Sequence, residues 1–148
     1  MAYYKTQGYF ESQVNTVIDK IETSKKATVA YHIKSGKPTY LDTISISIAS
    51  PVLDSIYQNS ATVSLLKTGD QYKNQTFIDE AKQVIKLYRN NGIYHFAENY
   101  LGFYVDSTRT DYKTNVDFII SGDRIIEENG DYLNKPFKVQ KIKEVNVI

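Results

Sequence analysis

The sequence predicts an α+β fold in which a three-stranded mixed sheet carries two helices on one face, and three observations predict it. Ile44, Ile46 and Ile48 alternate with Ser45 and Ser47, the period of a half-buried strand. Phe77, Ala81, Val84, Ile85 and Tyr88 recur at helical spacing among good helix formers. Val116, Phe118 and Ile120 then alternate with polar neighbours, so the chain returns to strand.

The elements follow in order. Residues 11–18 and 27–33 read as two strands, the second placing Ala27, Val29, Tyr31 and Ile33 on one face, with the polar residues 19–26 as their hairpin loop. Gly36-Lys37-Pro38 punctuates before the Ile/Ser strand. Ser50-Pro51 opens a short helix over 51–60, Ser as cap and Pro at the first helical position, with Val52, Leu53 and Ile56 inward. Thr68-Gly69-Asp70 ends the connection to the second helix, which starts at Asn74 and closes on Asn90-Asn91-Gly92 through a glycine cap. Over 93–105 a long strand is expected. Ala97, Leu101, Phe103 and Val105 share its inner face, and Tyr94, Phe96, Tyr100 and Tyr104 its outer one. The strand around Val116 pairs with it antiparallel, residues 121–135 form a polar loop, and 137–148 begin another strand. The expected core of the middle module is Ile44, Ile46, Ile48, Phe77, Ala81, Ile85, Leu101, Phe103, Val116 and Phe118.

An internal repeat organises these elements. Tyr4-x-x-x-Gly8-Tyr9-Phe10 matches Tyr88-x-x-x-Gly92-Ile93-Tyr94, and Pro38-x-x-Leu41-x-x-Ile44 matches Pro136-x-x-Val139-x-x-Ile142 at a slightly larger offset. The repeating module is somewhat over 80 residues long, the distance from Gly8 to Gly92. Residues 1–37 then form the C-terminal part of a first module, 38–122 a complete module, and 123–148 a linker with the first strand of a following one. Both ends of the chain read as cut, so a fragment is expected.

Composition narrows the function. Eighteen Lys and Arg nearly cancel 17 Asp and Glu and are scattered along the chain, which gives no electrostatic case for a nucleic-acid partner. With no Cys, disulfide frameworks, thiolate catalysis and Cys-ligated metals are excluded. No apolar run approaches the ~20 residues of a membrane-spanning helix. The 13 Tyr suit strands with one wet face.

His32 and His95 stand without a second ligand at metal spacing, and the neighbours Asp79-Glu80 and Glu127-Glu128 point apart on exposed surface. Gly69 and Gly92 lack a phosphate-loop pattern, and a βαα order without a GxxG clamp is no RNA-binding module. No catalytic residue, metal ligand or cofactor site is expected.

The passages KTQGYFESQV, RNNGIYHFAENYLGFYVD, VAYHIKSGKPTYLDTISISI and KPFKVQKIKEVNVI, with the strand-helix-helix-strand-strand order, resemble tandem POTRA domains of the BamA/TamA family of outer-membrane assembly proteins, in the form found in Bacteroidetes-type bacteria. Two features depart from the family pattern. Ile93 stands where an aromatic is expected, and the loop over 123–135 is long. The resemblance implies a POTRA-like β-α-α-β-β module on the periplasmic face of the outer membrane, in a parent protein anchored by a C-terminal β-barrel. It implies a scaffold without enzymatic activity that handles unfolded outer-membrane protein clients, assembly lipoproteins or neighbouring POTRA modules. Two alternatives within binding modules are the POTRA region of a two-partner secretion transporter or of a cell-division protein; a small periplasmic enzyme is the third reading.

In POTRA-like modules the strand over 93–105 lies at the sheet edge, where an incoming strand can add by β-augmentation. Tyr94, Phe96, Glu98, Tyr100, Gly102 and Tyr104 are the candidate partner-binding residues, with a free outward donor expected at Tyr100. The competing reading has the aromatics merely cover the sheet face or meet a neighbouring module.

Overall fold

The computed structural model describes residues 2–21, 26–106, 108–109, 111–126 and 132–145. A short helix α1 (Ala2–Thr6) leads into a hairpin of β1 (Gln13–Ile21) and β2 (Lys26–Lys34). Then follow β3 (Tyr40–Ile48), α2 (Pro51–Gln58), α3 (Asn74–Asn90), β4 (Leu101–Val105) and β5 (Lys113–Ile120), the elements of the expected middle module. A small hairpin of β6 (Asp123–Ile126) and β7 (Tyr132–Lys135) replaces part of the polar loop expected there.

The middle module has the predicted architecture: the sheet order is β3-β5-β4, with β3 parallel and β4 antiparallel to β5. Parallel pairing needs a long crossover, which α2 and α3 supply. Their buried side chains Leu53, Val84 and Tyr88 pack with Phe118 and Ile120 in one cluster, so both helices cover the same face. Val116 joins Leu41, Leu66 and Phe77 in a second cluster at the other end of the sheet, and Phe103 bridges the two by stacking on Phe118 at 4.4 Å. On the opposite, wet face Tyr104 lies across from Asp117, and Ser45 bonds the Asp117 carboxylate. Of the expected core, Phe77, Ala81, Val116 and Phe118 are buried, Ile44, Ile48, Ile85, Leu101 and Phe103 are only partly buried because they lie on edge strands or the flank of α3, and Ile46 on the edge strand β3 is 41% exposed.

Helix ends are set locally. Ser50 is extended before Pro51 and its carbonyl accepts from Asp54 N (2.9 Å), but its hydroxyl makes no cap bond and is buried without a partner among the described residues. Tyr88, whose phenol burial pushes well above its ordinary range, with the nearby Tyr57 and Asp54 adding to the shift, donates to Leu53 O at 3.2 Å and ties α3 to α2. Glu80 corrects a sequence expectation. It is fully buried, since Phe77, Glu80, Ala81, Val84 and Tyr88 form the inner stripe, and its Oε2 accepts from Leu65 N at 2.7 Å to pin the loop between the helices. Asp79 does point outward, toward Lys82 and Gln75, while Glu127 and Glu128 lie outside the described residues.

The turn between β4 and β5 is fastened to β3. Arg109 Nη1 donates to Asp42 Oδ2 (2.7 Å) and Asn115 Oδ1 (3.1 Å), and its other nitrogens pair with Asp111. Thr108 donates from its amide (2.9 Å) and hydroxyl (2.6 Å) to Asp106 Oδ1. Bonds from Thr108 hold the Asp106 carboxyl below its ordinary range, as bonds from Arg109 do that of Asp111.

Two predictions follow the packing and the charges. Replacing Phe118, buried in the first cluster and stacked on the Phe103 that bridges to the second, with Ala is expected to cost about 3–5 kcal/mol in urea unfolding. Ile46→Ala on the exposed edge should cost roughly 0.5 kcal/mol. A carboxylate held low in the fold stabilises above its ordinary pKa, and that contribution is lost as pH falls through the folded value. The Thr108 amide shift should therefore titrate with a midpoint below the ordinary 3.8 of Asp106; a midpoint at or above it would contradict the turn geometry.

Candidate functional site

The sheet has two edges, and they differ. At its start β3 is covered by the loop before α3: Leu41 N donates to Asp70 O (2.8 Å), Gly69 N to Leu41 O (2.7 Å), and Tyr40 bridges Gln71. β4 pairs with β5 on one side, and none of the described residues pairs with its other side.

Residues 100 and 106 mark which backbone groups are engaged. Ser121 N donates to Tyr100 O (2.8 Å) and Asp106 N to Asn115 O (3.1 Å), so by antiparallel alternation Gly102 and Tyr104 also turn their groups toward β5. Leu101, Phe103 and Val105 point theirs to the other side, where the Leu101 amide already donates to Glu98 O and those of Phe103 and Val105 are left facing outward. Their side chains face α3, and between strand and helix runs a groove of about 220 Å³ floored by Phe77, Ile78 and Ala81 and closed at its ends by Tyr72 and Glu98. Free main-chain donors and acceptors beside an apolar trough are what an added extended segment requires.

The candidate residues from the sequence are only partly brought together here. The strand is five residues long, not thirteen: Ile93 and Phe96 close a turn (Phe96 N to Ile93 O, 3.0 Å), and Glu98–Tyr100 form a single 3₁₀ turn. Aromatic packing overrides the alternation, because Phe96 is fully buried against Tyr88 (4.6 Å), Tyr100 (5.3 Å) and Phe137 (5.7 Å). Tyr100 N donates to Ala97 O (3.2 Å), so it is no outward donor. Gly102 and Tyr104 are on the strand, Tyr104 on the wet face; Glu98 rims the groove; Tyr94 lies elsewhere, beside Gly92. Sequence reasoning missed Tyr72, Phe77, Ile78 and Ala81 as groove residues, although the α3 stripe placed two of them beside the sheet.

The histidines are separate. His32 is exposed on β2, and His95 stacks on Phe137 at 5.4 Å. Among the described residues no group of His, Asp and Glu is placed to hold a metal ion, and no helix is long and apolar enough to cross a membrane.

No family model matches the chain, and neither does any curated protein. Solved structures do. POTRA domains 3–5 of BamA from Haemophilus influenzae share 15% identity over 79% of this chain and 44% of theirs, with a TM-score of 0.48. BamA from Haemophilus ducreyi lacking POTRA domains 1–3 shares 12% over 82% of this chain and 21% of its own, also with a TM-score of 0.48. POTRA domains 1–3 of the periplasmic domain of Omp85 from Anabaena share 16% over 81% and 46%, with a TM-score of 0.39. The chain thus spans less than half the length of each of these structures.

Proposed function

We propose that residues 38–122 are a POTRA module of an outer-membrane protein assembly factor, acting in the periplasm as a non-enzymatic scaffold, and that the outer side of β4 is where an extended polypeptide adds. The single observation that carries the binding site is the free β4 edge, with the main-chain groups of Phe103 and Val105 directed outward beside the trough. The βααββ order, the sheet order and the motifs quoted from the sequence support the module assignment. The flanking segments then belong to neighbouring modules, and the bacterial lineage, the client proteins and any lipoprotein partner are set by the parent protein.

Main-chain pairing reads few side chains, so affinity is tolerant of sequence, which suits a scaffold with many clients. Selectivity comes from the trough, which accepts small and apolar side chains at alternate positions. Glu98 is the single charged residue among those lining it, so binding is expected to depend weakly on salt.

Hydrogen exchange tests this directly. With a barrel-strand peptide bound, the amides of Phe103 and Val105 should gain protection while those of Leu101, already bonded to Glu98, and of Gly102 and Tyr104, already bonded to β5, change little. Val105→Pro, which removes an outward donor at an edge where Pro is tolerated, should weaken binding about tenfold, the equivalent of about 1.4 kcal/mol. Lys82→Ala, on the exposed side of α3, should leave it unchanged. Protection confined to α3, or to Gly102 and Tyr104, would exclude strand addition here.

A further inference from the structure

The two Gly-aromatic junctions match bond for bond. Tyr9 N donates to Tyr4 O (3.0 Å) and Gly8 N to Lys5 O (3.1 Å); Ile93 N donates to Tyr88 O (3.0 Å) and Gly92 N to Arg89 O (3.2 Å). Each pair is a Schellman cap around a left-handed glycine, φ +84° at Gly8 and +88° at Gly92. Ser12 N to Tyr9 O repeats as Phe96 N to Ile93 O.

Each glycine carbonyl then accepts from the chain that follows its hairpin: Thr39 N to Gly8 O and Gln140 N to Gly92 O, both 2.9 Å. This bond aligns Gln140 with Thr39, three residues on from the match of Pro136 with Pro38. In the new register Leu41, Ile44 and Ile46 coincide with Ile142, Val145 and Val147. Gly36 against Glu11 likewise coincides with Phe137 against His95.

At the first junction a loop lies on this seam. Tyr72 N donates to Thr39 O (2.8 Å), Gln71 Nε2 donates to Gln7 O (2.7 Å), the Tyr72 carbonyl sits 2.8 Å from where a Cβ on Gly8 would be, and the Tyr72 ring meets Phe10 edge-on at 5.0 Å. At the second junction the equivalent position is a groove of about 620 Å³. Its walls are Asn91, Gly92 and Tyr94 on one side and Gln140, Lys141 and Ile142 on the other, the counterparts of Gln7, Gly8, Phe10, Thr39, Tyr40 and Leu41. Ile142 is 83% exposed there, whereas Leu41 is 3% exposed beneath its loop.

We infer that the groove beside Gly92 is the seat of a following βααββ module in the same polypeptide, and that it is filled by that module's loop ahead of its second helix, an extended segment ending in an aromatic like the one at 69–72. The aromatic main chain bonds Gln140, its ring covers Tyr94, and the loop buries Ile142. This rests on the tandem-module part of the function proposed above and is independent of strand addition at β4.

The chain has no Cys, which makes a crosslink clean. The intact chain is extended beyond Ile148 by a flexible Gly/Ser linker and a copy of the sequence KTGDQYKN, residues 67–74. One cysteine replaces Asn91 and another replaces the Gln of the copied loop, the pair corresponding to Gln7 and Gln71. Seating on the groove predicts a disulfide forming about tenfold faster than when the copied Tyr is Ala, since the linker alone supplies the same effective concentration to both. Equal rates would mean random collision of the tether and would overturn the proposal. In the cysteine-free version, amide shifts at Gly92, Tyr94 and Gln140 support it. Shifts at Phe103 and Val105 instead would overturn it while favouring strand addition.

Discussion

Close backbone approach at a helix-ending glycine is the constraint on which the arrangement rests. At Gly8 the carbonyl of Tyr72 and that of Thr39 lie 2.8 and 3.3 Å from the place a Cβ would occupy, and φ is +84°, so both space and conformation demand glycine. Because the chain passes so near, Thr39 can donate to Gly8 O and Tyr72 can bond Thr39 in turn. Those two bonds fix the start of β3, and β3 fixes the face on which α2 and α3 must pack. The position of the β1–β2 hairpin relative to the sheet follows from the same contact.

How much was legible in the sequence depended on whether the deciding contact was local. The Schellman glycines are local, and so is the alternation of Val116, Phe118 and Ile120, whose period survives because β5 is central. Residues 93–100 misled because Phe96 turns into a cluster with Tyr88, Tyr100 and, about forty positions on, Phe137, contacts that no strand alternation reports. Glu80 looked solvated beside Asp79, yet it sits three residues after Phe77 and one before Ala81; helical geometry placed it inward, and the Leu65 amide made that tolerable. The repeat was visible, but its second register was not. Pro38 and Pro136 punctuate the link without making the bond that aligns it, and the hairpin β6–β7 takes up the difference.

The edge of β4 shows how specificity and protection can coexist. Five residues are few for uncontrolled pairing between copies, and Tyr104 with Asp117 keeps the wet face polar. The strand could not be longer, since Phe96 and Tyr100 are drawn into the aromatic cluster with Phe137. Core packing thus sets the length of the exposed edge. The other edge is covered by the chain itself only at its start, around Tyr40 and Leu41.

Tyr112 gives the first junction a second attachment of a different kind. It takes φ +59°, rare outside glycine, its carbonyl accepts from Tyr40 N, its hydroxyl donates to Glu11 Oε2 at 3.1 Å, and Lys37 Nζ sits 5.3 Å from its ring centre. Across the seam, Gly8, Thr39 and Tyr72 are joined by backbone bonds and a ring contact that salt does not screen. The joint therefore carries two kinds of fastening, one of backbone bonds that salt does not screen and one of exposed charged contacts that it does.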